Sequence, residues 1–287
     1  MSAVTTESEA AAPQLMAGYR KRRRWTEFIL PVYMWIVLLY TVVPIAVMIV
    51  YGFNQAPAQR VTFAWQGFTL EWYRRVFEIT DLTDALVNSL QIAALSTVIA
   101  AILGAPLALA LGRYRYRGKA MTDFVIFTDI AAPSVVVGAA LLGFFIQLNL
   151  PRGFLTILIS HVAFNVAFVV VVVRARVEGL GRTLEEAAQD LGADPWVTFW
   201  KVTFPLIFPG VLAAALLSFA LSIDDFIITS FVSGQLLTFP LWVFGSVKIG
   251  IPPQVFVMGT LIFLGGIVLA AVNVLMQRRT ERSLRAV

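Results

Sequence analysis

The sequence contains no cysteine and a single histidine, His161. A chain without cysteine has no disulfide framework, thiolate metal site or cysteine nucleophile. One histidine cannot form a histidine cluster for a metal. A single histidine without any cysteine also argues against a catalytic nucleophile–base pair. Charged residues are also scarce, at 14% of 287 residues, whereas soluble domains have about 25%. These absences argue against a soluble enzyme.

Long apolar runs take the place of charge. Hydrophobic residues make up 59% of the chain, and they occur in blocks of the roughly 20 residues that a helix needs to cross a bilayer. Helices satisfy their own backbone hydrogen bonds, which lipid cannot do. We therefore predict an all-α integral membrane protein with six transmembrane helices, at roughly 28–52, 83–112, 121–147, 154–173, 206–231 and 254–277.

Lys and Arg are unevenly distributed between the two ends of these spans. If the N-terminus is cytoplasmic, most of the 22 Lys and Arg residues fall on the cytoplasmic side, beginning with Arg20–Arg24. This asymmetry follows the positive-inside rule and predicts that both termini are cytoplasmic. The first span resembles a signal peptide but is too long and has no small-residue cleavage site, so we interpret it as an anchor. The basic residues that remain outside are Arg60, Arg74, Arg75, Arg152 and Lys248.

The chain is predicted to have four parts. Residues 1–27 form a cytoplasmic segment, and residues 28–82 form the first helix with an outer loop. Residues 83–277 form a five-helix core, and residues 278–287 form a cytoplasmic tail. Small residues recur every fourth position in two spans, which predicts close helix packing there. They are Gly104, Ala108 and Gly112 in span two, and Gly210, Ala214, Ser218 and Ser222 in span five.

The cytoplasmic loop 174–203 carries helix signals. Thr183 and Glu186 have the spacing of a capping box, which predicts a helix that Gly192 ends in the left-handed conformation. Asp194–Pro195 then has the residue types that begin a second helix. A helix–glycine–helix unit can act as a lever when a partner grips it. The alternative is an amphipathic stretch that lies in the membrane interface.

The same loop resembles a known motif. Glu186-Ala187-Ala188, then Gly192 after three residues, then Val202 and Phe204-Pro205, is similar to the EAA loop of bacterial ABC-importer permeases. Val202 and Phe204 replace the family's isoleucine and leucine, which keeps both positions apolar. The resemblance covers roughly residues 83–280. It implies the type I (MetI-like) importer fold in the bacterial inner membrane, with a helix that couples to an ATPase through Glu186, Ala187, Ala188 and Gly192.

The chain contains no GxxxxGK[ST] phosphate loop, since Gly118-Lys119 is followed by alanine. We therefore expect no cofactor in this chain, and ATP and Mg²⁺ are expected in a partner ATPase. The resemblance implies two ATPase subunits, a second and non-identical permease subunit, and a periplasmic solute-binding protein. Arg74, Arg75 and Lys248 are candidates to pair with acids on that protein. Lipid is an expected partner and nucleic acid is not, because membrane orientation explains the basic clusters.

Three carboxylates fall inside predicted spans, Asp224 and Asp225 in span five and Asp129 in span three. A charge at the bilayer centre costs roughly 2.5–3.5 kcal/mol on insertion scales, so such groups normally face water or a partner. We predict an anionic patch along a cation pathway. Alternatively, the acidic pair lies near the outer end of its span, where water or an arginine of a partner subunit contacts it. Asp129 could instead form an ion pair with an arginine of a neighbouring chain. His161 is predicted to be a hydrogen-bonded structural residue.

Residues 217–234, LSFALSIDDFIITSFVSG, resemble the corresponding segment of spermidine/putrescine permeases, which has paired aspartates. The resemblance implies a polyamine solute, a flexible polycation that suits carboxylates. Opines, amino-acid derivatives and ferric iron stay open as solutes. A stand-alone ion-coupled transporter and a membrane-embedded enzyme are the rival classes. The former typically has internal repeats, of which we find none, and it would not need an EAA loop.

Overall fold

The computed structural model describes residues 26–56, 60–61 and 64–285, and the Arg20–Arg24 cluster lies outside this range. The described chain is helical between short connections, as predicted. In chain order the helices are α1 (Thr26–Tyr51), α2 (Glu71–Arg74), α3 (Thr80–Arg113), α4 (Lys119–Ala131), α5 (Ser134–Gln147), α6 (Phe154–Gly179), α7 (Thr183–Asp190), α8 (Pro195–Thr198), α9 (Phe204–Asp224), α10 (Ile227–Val232), α11 (Phe239–Ser246) and α12 (Pro253–Arg285).

Six membrane spans are present in this part of the chain if one bent pair is counted as a span. The pair is α4 with α5, which meet at 108°. The prediction of one continuous helix over 121–147 is therefore wrong. Pro133 explains the break, because proline has no N–H and disfavours helical geometry in the residue before it, here the extended Ala132. The other spans are Phe28–Tyr51, Thr80–Arg113, Phe154–Gly179, Pro195–Asp224 and Pro253–Leu275.

The core lies where α3, α6 and α9 pack together. A Cβ placed on Gly104 would lie 2.7 Å from Cγ1 of Val169, so only glycine permits this approach of α3 to α6. On α9, a Cβ at Gly210 would lie 2.8 Å from Cβ of Arg176. The predicted small-residue contacts in spans two and five are thus confirmed. Fully buried side chains of this core include Ala108, Leu111, Val173, Val177, Ile207 and Ala214.

At the opposite end from the α6–α9 loop, the segment around α2 forms a second apolar cluster with the start of α12. Trp72 is 4% exposed and donates its Nε1–H to the carbonyl of Asn54 at 2.9 Å. Arg75 makes ion pairs with Glu71 at 2.7 Å and Glu78 at 2.5 Å, and it lowers the pKa of Glu78 by hydrogen bonding the carboxylate. Arg75 therefore already has two acidic partners on its own segment.

Candidate functional site

The acidic pair lies at a break between two helices. Helix α9 ends at Asp224 and α10 begins at Ile227, so the prediction of a continuous span over 206–231 is wrong. The first residues of a helix have backbone N–H groups without intrahelical partners. The Asp225 carboxylate meets part of this need, because its Oδ2 accepts hydrogen bonds from the Thr229 N–H at 2.8 Å and hydroxyl at 2.7 Å.

All three predicted carboxylates face one cavity of about 500 Å³. Asp129 comes from α4, while Asp224 and Asp225 come from the α9–α10 break. Oδ2 of Asp129 is buried and has no hydrogen-bond partner among the described residues. Carboxylates that converge in a partly buried space repel one another, and a bound cation relieves that repulsion. The arrangement suits a positively charged ligand.

Aromatic rings complete the lining of this cavity. Phe164 and Phe168 approach it from α6, and Phe226 approaches it from the α9–α10 break. The faces of such rings attract ammonium groups. Sequence reasoning missed all three. Phe164 and Phe168 are four residues apart, which places them on one helix face, but nothing distinguishes them among 22 phenylalanines.

His161 lies directly behind the acidic pair and is 1% exposed. Its Nδ1 is 2.6 Å from the hydroxyl of Ser222, and its Nε2 is 2.9 Å from the hydroxyl of Thr229. The predicted hydrogen bonding of His161 is confirmed. Its position, with Nε2 3.5 Å from Oδ2 of Asp225, was not predicted. The α6 segment and the helix break are far apart in sequence, and no local pattern links them.

The loop between α6 and α9 forms the predicted helix–glycine–helix unit. Gly192 has φ +87°, which is the left-handed conformation, and Asp194 caps α8 by accepting hydrogen bonds from two backbone N–H groups. The predicted capping box is wrong. Thr183 is the first helical residue rather than the cap, because the N–H of Glu186 bonds to the carbonyl of Arg182 at 2.9 Å.

Helix α8 leads into α9 with no non-helical residue between them. A π-helical turn at Phe199–Thr203 joins it to α9, beside Pro205, whose missing N–H breaks the α-helical hydrogen-bond ladder. The whole stretch Pro195–Asp224 has 30 residues, or about 45 Å at 1.5 Å per residue. One rod therefore begins at the Gly192 bend and ends at the acidic pair.

The predicted coupling residues lie on the outer surface of α7 and its bend. Glu186, Ala187 and Gly192 are exposed, and Ala188 is partly exposed. A Cβ at Gly192 would meet nothing within 4 Å. No partner chain is present, so the contact of these residues with an ATPase stays a prediction.

Sequence reasoning missed the residue that attaches α7 to the bundle. Oε1 of Glu185 accepts a hydrogen bond from Thr203 at 3.0 Å and makes an ion pair with Arg113 at 3.3 Å. Arg113 also donates to the carbonyl of Leu180 at 2.9 Å. The Glu185 and Arg113 side chains are 18% and 10% exposed. Glu185 thus joins α7 to the end of α3 and to Thr203, the residue that precedes α9 in the 195–224 rod. Its position beside the EAA motif was the available signal.

We expect Glu185→Gln to lower uptake by roughly tenfold in the assembled transporter, because the amide keeps an acceptor oxygen but loses the charge that pairs with Arg113, and a loss of about 1.4 kcal/mol corresponds to tenfold. The measurement is solute uptake into proteoliposomes, normalised to the amount of complex. Glu178→Gln is the matched control, because Glu178 pairs with Arg174 on the exposed end of α6 and such pairs contribute little. Equal uptake by the two variants would show that Glu185 does not transmit force.

Comparison with known proteins adds a family match. The model of the family described as "Binding-protein-dependent transport system inner membrane component" matches residues 103–282. This range includes the α7–α8 unit and the α9–α10 break.

Individual relatives match over most of their length. The chain is 34% identical to the spermidine/putrescine transport system permease protein PotC of Haemophilus influenzae, over 88% of this chain and 98% of that protein. It is 38% identical to the putrescine transport system permease protein PotI of Escherichia coli K12, over 76% and 80% of the two chains. A bacterial ABC transporter that imports alginate has a similar fold, with a TM-score of 0.64, 22% identity, and coverage of 90% and 97%.

Proposed function

The chain belongs to the family of binding-protein-dependent transport system inner membrane components, and from this premise we propose that it moves polyamines across the bacterial inner membrane. One observation carries the choice of solute: Asp129, Asp224 and Asp225 converge with three phenylalanine rings on one cavity among membrane helices. Putrescine and spermidine have ammonium groups separated by methylene chains. Carboxylates attract the ammonium groups, and aromatic faces accommodate both parts.

The other solutes fit this lining less well. An opine or amino-acid derivative carries carboxylates of its own, which the three aspartates would repel. Ferric iron is compact and would make no use of the phenylalanine rings that share the cavity. A polyamine uses both the acidic and the aromatic parts of the lining.

Energy for transport comes from separate chains in this proposal. Two ATPase subunits hold ATP and Mg²⁺, and one of them contacts α7 and its bend at Glu186, Ala187, Ala188 and Gly192. The absence of a phosphate loop from the sequence supports the division of labour. The exposed surface of α7 supports the place of contact. A second, non-identical permease subunit and a periplasmic solute-binding protein complete the assembly.

The α7–α8 unit lies on the cytoplasmic side in this proposal, together with both termini. Basic residues from separate loops gather at this end of the bundle, which is the pattern expected of a cytoplasmic face. Arg182 of the loop donates to the carbonyl of Arg113 at the end of α3. Lys119, at the start of α4, donates to the carbonyl of Leu111 at 2.6 Å.

Transport alternates the cavity between the two sides of the membrane. Closure of the ATPase subunits displaces α7. Glu185 and the bend at Gly192 transmit this displacement to the rod 195–224. Because the rod ends at Asp224, its movement changes the cavity directly. This is a rigid-body switch between two packed states.

We expect the reconstituted complex to take up labelled putrescine only when the ATPase subunits and ATP are present. Excess unlabelled spermidine should compete, and 1,4-butanediol, which has the same carbon chain without charge, should not. The measurement is the initial rate of uptake into proteoliposomes. Uptake by this chain alone under an ion gradient would instead identify a stand-alone transporter.

A further inference from the structure

A line of buried polar side chains runs across the bundle and ends at Asp225. It starts at Asn165 on α6, whose Nδ2 is 3.4 Å from the hydroxyl of Ser96 on α3. That hydroxyl is 3.0 Å from the hydroxyl of Ser222 on α9. From Ser222 the line continues through His161 and Thr229 to the carboxylate. Each of the five side chains before Asp225 is at most 3% exposed, so bulk solvent does not reach these contacts.

The directions of the hydrogen bonds follow from one premise, an ionised Asp225. Hydrogen positions follow from what each group can donate and accept. An ionised Asp225 only accepts, so the Thr229 hydroxyl donates to it at 2.7 Å and must itself accept from Nε2–H of His161 at 2.9 Å. In this Nε2–H tautomer, Nδ1 of His161 is an acceptor, and the Ser222 hydroxyl donates to it at 2.6 Å.

The first half of the line follows by the same logic. Ser222 has used its one proton on His161, so it accepts from Ser96. The Ser96 hydroxyl lies 3.0 Å from that of Ser222 and 3.3 Å from the carbonyl of Ala93, so its proton goes to the nearer acceptor, Ser222, and its oxygen accepts from the amide of Asn165. Oδ1 of Asn165 has no hydrogen-bond partner among the described residues, which makes this amide the start of the line. In the reverse direction the Thr229 hydroxyl would donate to Nε2 of His161 and would have no proton left for Asp225. Asp225 would then have to be protonated and donate to Thr229 instead.

We infer that these residues form a one-way hydrogen-bond relay in which His161, as its Nε2–H tautomer, positions the Asp225 carboxylate in the solute cavity. The role of Asp225 in binding the solute rests on the proposed function. The hydrogen bonds of the relay do not depend on that function. Both hydrogen bonds to Asp225 from Thr229 end on Oδ2, so Oδ1 remains for a cation. The relay also joins α3, α6 and α9 to α10 across the helix break. His161 is a positioning residue in this scheme, since it acts through Thr229.

Two serines on α9 provide a matched pair for testing the relay. Ser222 is a relay member. Ser218 lies one turn earlier on the same buried face, and its hydroxyl has no hydrogen-bond partner among the described residues. Ser222→Ala and Ser218→Ala remove the same atom from similarly buried positions. The first variant breaks the relay, and the second leaves it intact.

The direct measurement is ¹⁵N NMR of the full chain in lipid nanodiscs, labelled with ¹⁵N-histidine and purified through a histidine-free tag. His161 is the single histidine of the sequence, so the signals need no residue assignment, and the couplings of each nitrogen to the ring Hδ2 and Hε1 protons distinguish Nδ1 from Nε2. We expect the neutral Nε2–H tautomer, with an Nδ1 signal that shifts in Ser222→Ala and does not shift in Ser218→Ala. The Nδ1–H tautomer, or equal spectra for the two variants, would overturn the relay.

The second measurement separates the positioning role from the proposed function. In the reconstituted complex, Thr229→Val keeps the side-chain shape and removes the hydroxyl, whereas Thr229→Ser keeps the hydroxyl. We expect Thr229→Val to raise the KM for putrescine by roughly tenfold with little change in maximal rate, and Thr229→Ser to resemble the wild type. An unchanged KM in Thr229→Val would overturn the positioning role. Failure of the wild-type complex to carry any polyamine would overturn the proposed function and leave the NMR result standing.

Discussion

Gly192→Asp should abolish uptake while ATP hydrolysis by the partner subunits continues without solute control. Gly192 holds the bend between α7 and α8 with φ +87°. An L-residue in the left-handed conformation costs about 1–2 kcal/mol, and aspartate tolerates it better than most residues. The backbone strain alone is therefore too small to unfold the chain. The larger effect comes from placing a charged side chain at the surface that the ATPase must contact closely.

A second glycine provides the control for Gly192→Asp. Gly118 also has a positive φ, +94°, and a Cβ there would likewise meet nothing within 4 Å. It lies in the turn before α4, outside the α7–α8 unit. We expect Gly118→Asp to keep most of the uptake, because it adds the same strain and charge away from the bend. The assay is uptake and ATPase rate of each complex in proteoliposomes. Normal transport by Gly192→Asp would remove the coupling role from this bend.

Asp225→Asn should lower polyamine uptake at subsaturating solute by roughly a hundredfold. Two unit charges 4 Å apart attract by about 4 kcal/mol at the effective dielectric constant of a protein surface, and part of that attraction is recovered by the remaining aspartates. The amide is the same size as the carboxylate. Its oxygen still accepts from the Thr229 N–H, now 2.8 Å from Oδ2, so the helix break should survive.

Asparagine substitutions at two other aspartates serve as comparisons for Asp225→Asn. Asp224→Asn should have a smaller effect than Asp225→Asn, because Asp224 is exposed whereas Asp225 is largely buried. Asp84→Asn should have none, since Asp84 is exposed near the start of α3 and does not line the cavity. Uptake of labelled putrescine and spermidine over a range of concentrations measures all three. Full activity in both Asp224→Asn and Asp225→Asn would take the pair out of the pathway.

The sequence carried enough information for the helical class of the fold and the approximate positions of its spans. Apolar runs of fixed length give the spans, since lipid permits few other structures. The left-handed Gly192 and the Asp194 cap were predicted because each depends on the chemistry of one residue and its neighbours. The close packing at Gly104 was also predicted from spacing, because a small residue on every turn leaves a groove, although its contact with Val169 was not.

Features that depend on residues distant in the chain could not be predicted. The break after Asp224 is stabilised by Thr229 and by His161 from another helix, and an uninterrupted apolar run conceals it. Glu185 was missed because its partners, Arg113 and Thr203, are brought to it by folding. The convergence of Asp129 with the acidic pair likewise arises from the sharp bend at Pro133, whose angle no local pattern specifies.

The coupling of α7 to a separate ATPase subunit is tested most directly by cysteine labelling and cross-linking. The chain has no cysteine of its own, so Ala187→Cys introduces a single thiol on the exposed face of α7. We expect this thiol to react with a polar maleimide in the isolated chain, to be protected in the assembled complex, and to cross-link to the ATPase subunit. Gln55→Cys, exposed beyond the end of α1, should give no such cross-link. A thiol at position 187 that stays reactive in the complex and forms no cross-link would contradict the proposed coupling.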